Sequence, residues 1–327
     1  LEPSETISFS QIQKLTIRFM GNSVMHDFGC ILRFASLASL CFFFASEDAF
    51  SQPVESVSMD MPLWDGPAPG ANGNDPEDVP MAMIRLPSSK VPPTAAIIIC
   101  PGGGYGGLAM GHEGHEIAQW VNDLGMAAII CDYRHRGKGY GHPAPMLDAQ
   151  RVVRLVRANS KNWNIDPKRI GMIGFSAGGH LVSTVLTQFD AGDPKSKDPV
   201  ARQSSRPDFG ILCYPVILFG KPESHKGSQV NLLGESPDPK VLESLQNASR
   251  VTQETPPTFL FHTYEDKGVL PQNSIEFYAA MVRNGVPGEL HVFEKGAHGV
   301  GLGRSIPGTS EWSNACARWL RAREVLR

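Results

Sequence analysis

Arg169-Ile170-Gly171-Met172-Ile173-Gly174-Phe175-Ser176-Ala177-Gly178-Gly179-His180-Leu181 is the stretch on which the fold turns. Ile170 to Phe175 is short and nearly continuously apolar, the pattern of a strand covered on both faces. Gly179 to Phe189 reads as a helix, and between the two stands Gly174-Phe175-Ser176-Ala177-Gly178. A serine at so sharp a strand-to-helix turn is held in a strained conformation with its hydroxyl projecting from the sheet. The flanking glycines keep the crowded turn free of clashing side chains. The next amide, from Ala177, opens a helix, and a helix N-terminus favours negative charge. Ser176 is therefore a candidate nucleophile. The plainer reading, a glycine-rich turn with an incidental serine, does not account for the strand before it and the helix after it.

Outward from this turn, short apolar runs alternate with longer amphipathic stretches, which implies strand, helix, strand around a mostly parallel sheet with helices on both faces. The expected strands are Met81 to Leu86, Ala95 to Cys100, Ala127 to Cys131, Ile170 to Phe175, Phe209 to Tyr214, Thr258 to His262 and Leu290 to Phe293. The expected helices are Glu113 to Leu124, Ala144 to Asn159, Gly179 to Phe189, Pro271 to Asn284 and Thr309 to Arg323. In the second helix Leu147, Val152, Leu155 and Val156 recur at helical spacing, which leaves Arg151, Arg154 and Arg157 as a solvated face. Val216 to Pro257 breaks the rhythm with Pro, Gly and Ser clusters around one short helix, Pro239 to Leu245. It reads as an insertion over the carboxyl edge of the sheet, where open α/β folds bind ligands.

A serine hydroxyl near neutral pH needs a base, and the base needs an orienting carboxylate. After the strand Thr258 to His262 come Glu265 and Asp266, of which Asp266 is favoured. After Leu290 to Phe293 comes Glu294-Lys295-Gly296-Ala297-His298-Gly299, which offers His298 as the base. The order Ser, acid, His, each in the loop after its own strand, is that of the α/β-hydrolase fold. The glycine run Pro101-Gly102-Gly103-Gly104-Tyr105-Gly106-Gly107 follows the strand Ala95 to Cys100. Only glycine lets backbone approach a substrate so closely, so amides near Gly103 and Gly104 are expected to join that of Ala177 as an oxyanion hole. No Walker lysine follows this run, so a phosphate cradle is not expected.

His112-Glu113-Gly114-His115-Glu116 has its two histidines three apart, where the helical zinc pattern has them four apart; no metal is expected there, and no cofactor elsewhere. Asp132 to Tyr140 is a polar, aromatic loop that reads either as pocket lining or as an ion-paired surface loop.

The 327 residues carry a net charge of -3, which offers no basic face for nucleic acid. Residues 1–51 stand apart from the rest. Arg33 followed by an apolar run through Phe44-Ala45 has the weakly basic start and short apolar core of a secretory signal, too short for a spanning helix. A secreted or periplasmic protein without a membrane span in its mature form is expected. Residues 52–80, rich in Pro, Gly, Asp and Asn, read as an extended lead-in, and residues 81–327 as one catalytic domain. Cys30 and Cys41 lie in the signal, while Cys100, Cys131, Cys213 and Cys316 read as free packing thiols.

Pro101 to Gly107, Tyr133 to Arg157, Gly174 to His180, His262 to Asp266 and Gly296 to Gly299 resemble the secreted bacterial esterase-lipase branch of the α/β hydrolases, with its acetyl xylan esterase and feruloyl esterase-like members. The resemblance covers roughly Trp64 to the C-terminus. It implies Ser176, Asp266 and His298 as triad, Gly103, Gly104 and Ala177 as oxyanion donors, and removal of acetyl or similar small acyl groups from plant or algal polysaccharide fragments. A small ester or acylated oligosaccharide would be the partner. Two departures stand out: Pro101 occupies the place where related lipases and esterases often carry histidine, and Thr263 the place where many have glycine. Two rivals share the topology, a prolyl-oligopeptidase-like serine peptidase and a non-catalytic carbohydrate-binding relative.

Overall fold

In the computed structural model, which describes residues 57–87 and 93–326, eight strands form one sheet. The strands are β1 (Val57–Pro62), β2 (Met81–Leu86), β3 (Thr94–Cys100), β4 (Ala127–Asp132), β5 (Ile165–Phe175), β6 (Phe209–Cys213), β7 (Thr258–Thr263) and β8 (Gly288–Phe293). They lie in the order β1-β2-β4-β3-β5-β6-β7-β8. β2 runs antiparallel to β1 and β4, and every pairing from β4 onward is parallel. The helices are α1 (Glu116–Asp123), α2 (Ala144–Ala158), α3 (Ala177–Thr187), α4 (Lys226–Leu233), α5 (Pro239–Ser244), α6 (Gln272–Arg283) and α7 (Trp312–Ala322).

The period of two in the central strands divides the core. In β3, Ala96, Ile98 and Cys100 join α2, α3 and α6 on one face, whereas Ala95, Ile97 and Ile99 join α1 and α7 on the other. Both sets are needed because parallel crossovers cover a sheet from both sides, so β3 is apolar almost throughout. The α/β-hydrolase architecture expected from the sequence is thereby borne out, and the carboxyl ends of β5, β7 and β8 come to one edge.

Three features depart from the sequence reading. The lead-in supplies β1, so the sheet begins at Val57; its residues are mostly exposed, as a polar edge strand permits. The insertion holds a second helix, α4, besides α5. The arginines of α2 are not a solvated face. Arg151 is buried and its Nε donates to Leu63 O at 2.6 Å. Arg154 pairs with Asp190 at 2.5 Å, and Arg157 donates to Ser204 O at 2.6 Å and Arg206 O at 2.9 Å. Arg154 and Arg157 thereby satisfy carbonyls of a chain segment, residues 190–208, that has no ladder of its own, while Arg151 ties α2 to Leu63 and to the Asp198 carboxylate.

Cys100, Cys131, Cys213 and Cys316 are free and buried, as expected. Cys30, Cys41 and the signal-like stretch lie outside the described residues. Among the described residues no helix is long and apolar enough to cross a membrane.

Candidate active site

Ser176 sits between β5 and α3 at φ 51° and ψ -118°, a left-handed conformation that costs a non-glycine residue of order 1–3 kcal/mol. The reason glycine flanks it is geometric. A Cβ on Gly174 would stand 2.3 Å from Gly178 O, and one on Gly178 would stand 2.1 Å from Cys100 O. The turn is anchored by the Ser176 amide donating to Cys213 O at 3.1 Å, and by the His180 and Val216 amides donating to Ser176 O at 3.1 and 3.0 Å.

His298 Nε2 lies 2.8 Å from Ser176 Oγ, and its Nδ1 lies 2.7 Å from Asp266 Oδ2. The structure thus brings together the three residues expected from their loops, across 122 and 32 positions of chain. Asp266 is fully buried, yet its other oxygen accepts the amides of Gly268 at 2.9 Å and Val269 at 2.8 Å. Burial pulls its carboxyl pKa upward; hydrogen bonds from His262 and His298 and from the Val269 amide outweigh that pull and hold it well below the usual carboxylate range. A base whose Nδ1 faces an ionised carboxylate keeps its Nε2 as the acceptor toward the serine hydroxyl. The neighbouring candidate, Glu265, instead pairs with Lys295 at the surface and accepts the Gly296 amide at 3.1 Å.

His262 is a residue the sequence reading passed over. It is the penultimate residue of β7, its Nε2 donates to Val269 O at 2.8 Å and stands 3.4 Å from Asp266 Oδ2, and its Nδ1 accepts from Ser274 at 2.8 Å. It clamps the acid loop from beneath. Its spacing of four from Asp266 was visible, but a histidine near the end of a buried strand carries no signal of its role. Thr263 makes a bond of its own, Oγ1 donating to Gly296 O at 2.8 Å, which joins the acid loop to the histidine loop.

The glycine loop leans on this turn: a Cβ on Gly102 would meet Ser176 Cβ at 2.9 Å. Each of its first peptide planes is pinned. Pro101 O accepts Tyr133 Oη at 2.7 Å while the Gly102 amide donates to Glu113 Oε2 at 2.8 Å. Gly102 O accepts the Ala109 amide at 2.9 Å, and Gly103 O accepts the amides of Gly106 and Gly107 at 3.0 and 3.2 Å. Gly104 O accepts Asn231 Nδ2 of α4 at 2.9 Å. Gly103 and Gly104 have φ 128° and 63°, and a Cβ on Gly103 would stand 2.2 Å from Gly107 O. The amides of Gly103, Gly104 and Ala177 have no acceptor among the described residues, so the expected donors are held in fixed planes with their hydrogens uncommitted. Tyr133, Glu113 and Asn231 supply the anchorage for which Pro101 has no side-chain donor.

Glu113 and the polar loop therefore have work that the sequence did not reveal. Glu113 is buried toward Gly102, while His112 and His115 are exposed. Arg134 forms a buried bidentate pair with Asp148, at 2.9 and 2.8 Å, and the amide of Arg136 donates to Tyr105 O at 2.8 Å. The loop 132–140 is thus ion-paired both at the surface, through Lys138 and Asp132, and inside the protein, through Arg134, and it props the glycine loop.

Comparison with known proteins agrees with this arrangement. The BD-FAE family model matches residues 83–281. An acetylxylan esterase of Xylanibacter ruminicola is 35% identical over 238 residues, 71% of this chain and 46% of that protein. The endo-1,4-beta-xylanase B of Butyrivibrio fibrisolvens is 36% identical over 207 residues, 62% of this chain and 32% of that protein. The chain thus spans less than half the length of these two curated relatives. Among solved structures, the acetyl ester-xyloside bifunctional hydrolase from Caldicellulosiruptor lactoaceticus superimposes with a TM-score of 0.78 at 44% identity, covering 82% of this chain and 97% of that one. From a strained serine turn, an acid and a histidine at one sheet edge, and a family match across most of the sheet, it follows that the chain belongs to the BD-FAE family within the esterase branch of the α/β hydrolases.

Proposed function

We propose that the protein is a serine carboxylesterase that removes short acyl groups, acetyl foremost, from xylan or related polysaccharide fragments. The observation that carries this reading is the unbroken hydrogen-bond chain Ser176–His298–Asp266 beside three uncommitted amides. In this reading His298 Nε2 takes the Ser176 proton as Oγ attacks the ester carbonyl, and Asp266 holds the resulting imidazolium in place. The amides of Gly103, Gly104 and Ala177 receive the oxyanion. The tetrahedral intermediate collapses with loss of the sugar alcohol, protonated by His298. Water, deprotonated by the same histidine, then releases the carboxylic acid from the acyl-enzyme. No metal or cofactor is used.

The acyl and sugar preference rests on the relatives, two of which are described as acting on acetyl esters. A location outside the cytoplasm belongs to the same proposal and rests on the signal-like stretch before residue 51. The test is hydrolysis of 4-nitrophenyl esters from acetate to octanoate, with acetylated xylan beside them, by wild type and Ser176→Ala. Serine-dependent release that is fastest on acetate and extends to xylan is expected. Release that survives Ser176→Ala would refute the mechanism, and serine-dependent turnover of longer esters alone would refute the substrate.

A further inference from the structure

Glu113 is a buried carboxylate, 2% exposed, that takes no part in the proposed reaction. It lies directly behind the glycine loop, so close that a Cβ on Gly102 would stand 2.6 Å from its Oε2. Its two oxygens face two different parts of the site. Oε2 accepts the Gly102 amide at 2.8 Å, and Oε1 accepts the Tyr214 hydroxyl at 2.9 Å. That hydroxyl in turn accepts the Gly301 amide at 2.9 Å, three residues past His298. The ring of Tyr214 stands edge-on to the imidazole of His298 with centroids 5.3 Å apart. Tyr214 itself has φ 36°, a strained conformation at the end of β6 that its surroundings must enforce.

Resting on the esterase reading above, we propose that Glu113 is a positioning residue that locks the oxyanion loop to the histidine loop, through Gly102 on one side and Tyr214 and Gly301 on the other. The bonds converge on the carboxylate from two sides: Gly301 N–H to Tyr214 O and Tyr214 O–H to Glu113 Oε1 from one, and Gly102 N–H to Oε2 from the other. Only a group with two acceptors closes it. A carboxamide offers one oxygen and one NH2. The NH2 must then face either the Gly102 amide, donor against donor, or the Tyr214 oxygen, which already accepts from Gly301 and whose own hydrogen loses its acceptor. The Gly102 amide and the Pro101 carbonyl bound by Tyr133 belong to one peptide plane, and the next plane carries the Gly103 amide. Freeing the first plane loosens the second, and the donor no longer meets the oxyanion preorganised.

The experiment compares Glu113→Gln, Tyr214→Phe and the double variant with wild type. It measures the thermal midpoint, kcat and KM on 4-nitrophenyl acetate, and inhibition by phenylboronic acid, whose serine adduct is a tetrahedral anion. Folded Glu113→Gln is expected to lose about 10- to 100-fold in kcat, less than the 10²–10³ that follows outright removal of an oxyanion donor. Its KM should stay within about threefold, with boronate affinity falling alongside kcat/KM. The double variant should lose about as much as the worse single one, because the two residues act as one unit. A folded Glu113→Gln with wild-type kcat, a loss confined to KM, or losses that multiply in the double variant would overturn the proposal. Should Glu113→Gln not fold, Tyr214→Phe alone decides by the same readouts. Wild type that hydrolyses no ester refutes the esterase reading and this inference together; active wild type with indifferent variants refutes only the inference.

Discussion

The site at Ser176 and the pair Arg134–Asp148, which joins the loop after β4 to α2, each hold a carboxylate where water does not reach. At the pair, valence is spent. Both side chains are completely buried, and Arg134 gives two bonds to Asp148 and one to Pro69 O at 3.0 Å, while its amide gives another to the same carboxylate. At the turn the acid alone is saturated. Asp266 is buried and fully bonded, but the His298 side chain is 27% exposed and the amides of Gly103, Gly104 and Ala177 are uncommitted. The difference separates a polar group that specifies a fold from one that is available for chemistry: in the first each nitrogen and oxygen has a partner, and the second is held rigidly by its neighbours with one valence left over.

The sharpest way to break this comparison is to remove the leftover valence. Ser176→Ala should lower kcat on 4-nitrophenyl acetate by on the order of 10⁶-fold with the fold intact by circular dichroism. Asp266→Asn should cost about 10⁴-fold, because the carboxamide favours the wrong imidazole tautomer without displacing the ring.

At the saturated pair the effect should fall on stability instead. Arg134→Met leaves the Asp148 charge buried without its cation and should cost about 3–5 kcal/mol in urea unfolding. Arg134→Met with Asp148→Leu should recover much of it, since an apolar pair of similar volume needs no desolvation.

His180 lies between the two regions in character. Its ring is buried, stacked on Phe219 with centroids 4.1 Å apart, and bonded to Tyr105 Oη at 2.9 Å and Leu245 O at 3.1 Å. Burial lowers its pKa to about 4. Above the unfolded value near 6.5 both states are neutral and its contribution is fully present. As pH falls from there toward 4 the unfolded chain binds a proton that the folded chain refuses, so about 3 kcal/mol of stability should be lost across that window. Urea midpoints at stepped pH would show it, and His180→Phe should lack that slope while being less stable at pH 7. The depressed pKa of Asp266 acts lower, its stabilisation being lost only as pH falls below the ordinary aspartate range. Smallest of all, Glu265→Ala removes an exposed ion pair, and kcat/KM should stay within about twofold; a large loss would mean that the acid loop, not Asp266 alone, sets the base.

Much of this was legible because the information is local or strictly ordered along the chain. Seven strands were found from apolar runs of four to eight residues, and Ser176, Asp266 and His298 from the rule that each follows its own strand. β1 was missed because its alternation, Val57-Ser58-Met59-Asp60-Met61-Pro62, lies among turn-forming residues and reads as irregular chain. α4 was missed because its apolar residues favour no single face. The arginines of α2 were misread because helical spacing tells which face avoids the core, and says nothing of a loop that comes to lie on the other face.

By itself, then, the sequence determined seven of the described strands, the turn and the order of the three candidate side chains, since each depends on residues close together in the chain. Tertiary structure alone decided what surrounds them. Glu113 behind Gly102, Tyr214 between Glu113 and Gly301 and Asn231 on Gly104 are hydrogen bonds between separate segments of chain, and His262 comes to stand 3.4 Å from Asp266. A hydrogen bond is set by direction and by tenths of an ångström, quantities that exist only once the strands are in register and the helices have packed.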